Sequence, residues 1–200
     1  MKKRRTLITP PLYWQRIKAE PVPHPLHPIK AERGGTQLKT PLPVVLVDTR
    51  EKNPFLFGRF KGWFTGIEQK ALKLGDYSMA GMEDICAVER KDLPDLVRSL
   101  TTDRLIFVER LRRMSGYPHR LLVVTSPWGE VKSKYEFSGA NPNQITQSLI
   151  ATLTSLNVPF VCADSHELGE ELVASYLYQV FLYHWLETNG HGRFLQDDDL

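Results

Sequence analysis

Between Val44 and Trp185, short apolar runs of strand length alternate with longer amphipathic stretches of helical length, a pattern that restricts the chain to an α/β architecture. Val44 to Asp48 is an apolar run ending in charge, and Gln69 to Leu74 reads as a second strand entering a turn at Gly75. Tyr77 to Ala80 and Ile85 to Lys91 then form a hairpin around Gly81. Asp92 precedes Pro94, and Asp95 follows three residues after Asp92, so a capped helix starts here with proline in its first turn. It continues, broken near Thr101, to Met114. Leu121 to Thr125 is a buried strand and Ser126 to Ala140 a polar loop, after which Asn141 and Pro142 open a helix with Ile145, Leu149, Leu153 and Leu156 as its apolar stripe. Val158 to Cys162 is a last strand, and Ser165 caps a long final helix. The expected fold is α/β, a mixed central sheet with helices on both faces; the alternation implies parallel pairing and the hairpin an antiparallel portion.

A chain of 200 residues suits one domain and a tail. Residues 1–43 carry Pro10, Pro11, Pro21, Pro23, Pro25, Pro28, Pro41 and Pro43 and nine Lys or Arg opposed only by Glu20 and Glu32, so they are expected to be a disordered basic arm. The folded domain is expected over 44–189, with 190–200 a flexible end whose Asp197, Asp198 and Asp199 read as solvated. The net charge of +3 is modest, but concentrating it in the arm suits a polyanionic partner. Cys86 and Cys162 sit in apolar stretches and read as buried thiols. Pro10, Pro11, Gln15 and Arg16 interrupt any apolar run after the basic start, and no stretch reaches the length of a spanning helix. The expectation is a chain without a membrane partner, not secreted but cytoplasmic, nucleoid-associated or nuclear.

The chemistry is concentrated in Gly75-Asp76 and, across the hairpin, Glu89-Arg90-Lys91. Side chains alternate along a strand, so Glu89 and Lys91 share one face while Arg90 points to the other. Asp76 begins the neighbouring strand and Asp48 ends another, so their carboxylates can converge on Glu89. Gathered carboxylates repel unless a cation lies between them. Hard oxygen ligands at an open site suit Mg2+ or Mn2+, which accept a phosphate oxygen and activate water, while a nearby ammonium such as Lys91 stabilises charge on the phosphate.

These residues resemble the nuclease domain of the XPF family of structure-selective endonucleases, whose signature is Gly-Asp, a variable spacer, Glu-Arg-Lys, three residues and Asp. Here it reads Gly75-Asp76, Glu89-Arg90-Lys91 and Asp95. Val47-Asp48-Thr49-Arg50-Glu51 is similar to the family's strand-end motif, and Ser99 and Arg104 sit where its helix often carries Ser and Arg. The resemblance implies a restriction-endonuclease-like fold and metal-dependent DNA cutting at branched or flap-like structures, with roles in repair and recombination. It implies Asp76, Glu89 and Asp48 as metal ligands and Lys91 as base or charge stabiliser. Arg50, Arg90 and Asp95 become supporting members, with Arg90 ordering carboxylates or binding a strand phosphate. It also implies pairing of two copies through the final helix, where Leu172, Tyr176, Phe181 and Trp185 otherwise read as core.

Two departures stand out: many members place a Glu after the next strand, where this chain has Thr125 and Ser126, and no paired helix-hairpin-helix module is expected. DNA contacts are then expected from the basic arm with Tyr13 and Trp14, from Arg104, and from the loop carrying Trp128, Lys132, Lys134 and Tyr135. Asp92 and Asp95 read as helix-start residues rather than as metal ligands. The histidines have no ligand spacing, which argues against zinc. The alternative reading is a catalytically silent XPF-like subunit that binds or scaffolds DNA; such subunits lose the acids or the lysine, all of which this chain retains.

Overall fold

The computed structural model describes residues 40–191. The expected disordered arm, apart from residues 40–43, and the acidic end lie outside the described residues. Six strands form one sheet in the order β2-β1-β3-β4-β5-β6. These are β1 (Val44–Asp48), β2 (Gly66–Lys70), β3 (Tyr77–Met79), β4 (Cys86–Lys91), β5 (His119–Val124) and β6 (Phe160–Cys162). The pairs β1/β2, β4/β5 and β5/β6 are parallel, and β3 runs antiparallel to both β1 and β4. The mixed sheet follows from the hairpin: β3 reverses the chain and β4 reverses it again, so β1 and β4 point the same way and finish at one edge.

Helices α1 (Leu93–Leu100), α2 (Arg104–Met114), α3 (Trp128–Val131), α4 (Pro142–Leu156) and α5 (His166–Thr188) complete the domain. Strand alternation divides its interior into two cores. Val45, Val47, Tyr77, Val88 and Val123 pack with Phe55, Phe57 and the α5 residues Val173, Leu177 and Leu182 on one face. On the other, Ala87, Leu122 and Val124 pack with Leu96, Leu100, Phe107, Leu111, Ile145 and Leu149 from α1, α2 and α4. Helices therefore cover both faces. Capping follows the sequence signals: Asp92, Asn141 and Ser165 side chains each accept a hydrogen bond from a backbone N–H of the turn they precede.

Four expectations need correction. The second strand is Gly66–Lys70 rather than Gln69 to Leu74; Leu72 and Leu74 are buried, but from the connection, after the chain has left the sheet. The real strand is a polar edge, with Glu68, Gln69 and Lys70 exposed, so it carries little apolar signal. The polar stretch from Ser126 contains the single turn α3, and Val131 and Tyr135 bury themselves in the second core while Trp128 stacks on Phe160 with centroids 5.9 Å apart. The stripe of α4 is narrower than its leucines suggest, since Leu153 is exposed and Thr146, Ser148 and Thr152 are buried instead. Cys162 is half-buried, whereas Cys86 is fully buried.

Candidate active site

The edge where β1 and β4 end and β3 begins opens into a cleft of about 930 Å³. Asp48, Arg50, Glu51, Gly75, Asp76, Arg90, Lys91 and Asp95 all line it. Register explains the gathering: one step beyond the Val47–Tyr77 pair lie Asp48 and Asp76, and one step beyond Tyr77–Val88 lies Glu89. Backbone hydrogen bonds lock these steps, with Asp48 N donating to Asp76 O at 2.8 Å and Asp76 N to Val88 O at 2.7 Å. Gly75 makes the approach possible. Its φ is +77°, and a Cβ there would stand 2.9 Å from Val88 O, so only glycine admits the close passage that delivers Asp76.

The acids have unequal freedom. Asp48 is 2% exposed and its carboxylate is fully engaged: Oδ1 accepts from Arg50 N at 2.8 Å and Nε at 2.7 Å, and Oδ2 from Arg50 Nη2 at 2.9 Å and Leu72 N at 2.7 Å. Burial pushes this carboxyl up, but the Arg50 side chain and the Leu72 and Arg50 backbone N–H groups outweigh it and hold it below the usual value. Asp76 accepts from Arg90 N at 2.7 Å through Oδ2. Burial and the neighbouring Glu89 charge push its carboxyl up to about 7, against the opposing pull of Lys91 and the Arg90 N–H. Glu89 is fully buried; its Oε1 accepts from Lys91 Nζ at 2.6 Å and from Arg110 Nη1 at 2.8 Å, while Oε2 has no partner.

The alternation along β4 places Glu89 and Lys91 toward α2, where Lys91 Nζ lies 5.5 Å from the Phe107 ring centroid. Arg90 projects to the opposite face, pairs with Glu51 at 2.9 Å and lies over the Phe55 ring at 5.9 Å. It therefore orders an acid, Glu51, that sequence reasoning had noted only as part of a motif. Asp95 lines the cleft wall, its N–H bonded to Asp92 Oδ1 at 2.9 Å. Arg104 is turned away and donates to Ser148 Oγ at 2.8 Å, tying α2 to α4. Lys132 and Lys134 are exposed and lie outside the cleft lining.

Sequence reasoning missed Arg110, which shares Glu89 with Lys91, and Arg113, which lines the same wall with the exposed Leu105 and Ile106. A signal for Arg110 was available: Phe107, Leu111 and Met114 form the buried stripe of α2, and position 110 flanks it.

Among the described residues no group of three or more His, Cys, Asp or Glu side chains is assembled as a metal cage. The Asp48 oxygens are all engaged with Arg50 and the Leu72 N–H. The residues nevertheless fit a hard divalent ion held by two protein carboxylates. The orphaned, buried Glu89 Oε2 lacks a positive partner, and the repulsion that raises Asp76 is of the kind a cation relieves.

A six-stranded mixed sheet flanked by helices, with an acid and lysine cleft at one edge, defines the restriction-endonuclease-like class of fold. The ERCC4 domain family model matches residues 47–176, and the chain belongs to that family, the XPF-type nuclease domains. Solved structures that share the fold include two of one archaeal protein. XPF from Aeropyrum pernix aligns with a TM-score of 0.55 at 21% identity, covering 74% of this chain and 69% of that one. XPF from Aeropyrum pernix in complex with DNA aligns with a TM-score of 0.54 at 23% identity, covering 69% of this chain and 64% of that one. No curated protein matches the chain.

Proposed function

We propose that this chain is a metal-dependent DNA endonuclease that hydrolyses phosphodiester bonds at branched or flap-like DNA. The observation that carries this reading is the sheet edge itself: Asp76 and Lys91 line the cleft, and the buried Glu89 accepts from Lys91 through Oε1 while its Oε2 has no partner. Asp76 and Glu89 would hold Mg2+ or Mn2+, which supplies an activated water and a Lewis acid for the phosphoryl oxygen. Asp48 clamps Arg50, and the Asp48 N–H to Asp76 O bond fixes where the Asp76 backbone sits. Arg90 fixes Asp76 from the other side by donating its N–H to Oδ2. Lys91, 14% exposed, presents its ammonium beside Glu89 and can stabilise negative charge as the phosphate reacts. The DNA-bound state of one fold relative supports a DNA partner, and the family supports work in repair or recombination. A second copy docking on α5 belongs to the same proposal.

The test is cleavage of end-labelled flap, splayed-arm and linear duplex DNA with magnesium, manganese or chelator. The expected outcome is metal-dependent cutting with a preference for the branched substrates, lowered by 10²-fold or more, roughly, in Asp76→Ala and Lys91→Ala. Binding without cutting by the unaltered chain under every condition would replace this reading with that of a silent scaffold.

A further inference from the structure

We propose that Arg110 is an exchangeable phosphate receiver: it holds the place of a metal ion beside Glu89 and moves to a DNA phosphate when the ion binds. The inference rests on the nuclease reading above and assigns a task to a residue outside the signature. Glu89 Oε1 already receives Lys91 at 2.6 Å, yet Arg110 adds a second cation to the same oxygen at 2.8 Å, while Oε2 of the same carboxylate has no partner. Satisfying Glu89's hydrogen bonds therefore does not explain where Arg110 sits. Charge does: the single carboxylate of Glu89 is held against two cations, Lys91 and Arg110, and a divalent ion at that carboxylate makes the outer, more exposed cation surplus.

Arg110 is built to leave. Its side chain is 43% exposed, against 14% for Lys91, and it enters the site from the wall of α2 rather than from the sheet. An ion held at Glu89 would repel the guanidinium at short range. Three residues further along the same helix, Arg113 lines the cleft without an ion pair among the described residues, so the wall offers two guanidinium groups on neighbouring helical positions. Planar guanidinium groups match phosphate oxygens in a bidentate fork, whereas the Lys91 ammonium is a compact point charge. The wall thus suits the phosphates flanking the scissile bond, and metal and DNA binding should reinforce each other through Arg110.

The test compares the full chain with Arg110→Gln and Arg110→Lys, without relying on cutting. Mn2+ binding to metal-free protein is measured by calorimetry, and duplex DNA binding by anisotropy over a salt series in calcium. Removing the resident cation should tighten Mn2+ binding of Arg110→Gln roughly three- to tenfold, whereas its DNA binding should weaken about tenfold with a salt slope smaller by about 1. Arg110→Lys should restore the slope. DNA should also raise Mn2+ affinity in the unaltered chain by more than in Arg110→Gln. If Mn2+ and DNA binding both weaken in Arg110→Gln, Arg110 merely braces Glu89 and the proposal fails while the nuclease reading stands. If the unaltered chain binds no Mn2+, the nuclease reading itself falls and takes this proposal with it.

Discussion

Glu89 and Asp76 divide the work of one charged site by their surroundings rather than by their chemistry. Glu89 is fully buried against two cations, while Asp76, lining the cleft, is pushed up to about 7 by burial and by Glu89. In the metal-free protein that shift has a sign. The unfolded chain releases this proton near the ordinary aspartate value, whereas the folded chain keeps it until about 7. Asp76 therefore withdraws stability as pH rises from about 4, and the loss is complete once pH passes the folded value. Urea unfolding in chelator at pH 4, 5.5, 7 and 8.5 should show stability falling across that window, with Asp76→Asn flattening this part of the profile. A profile identical in both proteins would mean that Asp76 ionises normally.

At the scale of elements, the turn before β3 decides whether the site exists. Gly75 and Gly81 both have positive φ, +77° and +81°, but they differ in surroundings. A Cβ at Gly81 meets nothing within 4 Å, whereas one at Gly75 meets the Val88 backbone. Gly81→Ala should cost about 1–2 kcal/mol from conformation alone. Gly75→Ala should cost about 2–4 kcal/mol, combining the same conformational strain with overpacking against a strand that cannot yield. It should also weaken Mn2+ binding by displacing Asp76, which Gly81→Ala should leave unchanged. Denaturant midpoints and calorimetry on both variants check this pair. The hairpin and the caps of α1, α4 and α5 were legible because each is specified by residues close in sequence. The strand β2 was not: it owes its place to backbone pairing with β1 at the sheet edge, and its polar side chains record none of it.

For the whole molecule, the sheet is a partition with an apolar core on each face, and the cleft opens where three adjacent strands meet at one edge. An ion that binds only the folded chain must stabilise all of it. At a hundred times its dissociation constant, Mn2+ should add about 2.7 kcal/mol, or roughly 5–10 °C in Tm for a domain of this size. Thermal scans should lose that shift in Asp76→Ala.

The alternation of strands and helices, the opposite facing of Glu89 and Arg90, and the signature residues are all legible in residue order, because periodicity, capping and strand alternation act over a few positions. Which acids keep oxygens to offer depends instead on packing across the fold. Asp48 is spent on Arg50 and on the N–H of Leu72, Arg90 is drawn to Glu51, and Arg110 reaches Glu89 from a helix 21 residues away. Those partnerships depend on how helices and connections pack over the sheet edge, and a buried carboxylate takes whichever donor that packing brings within 3 Å.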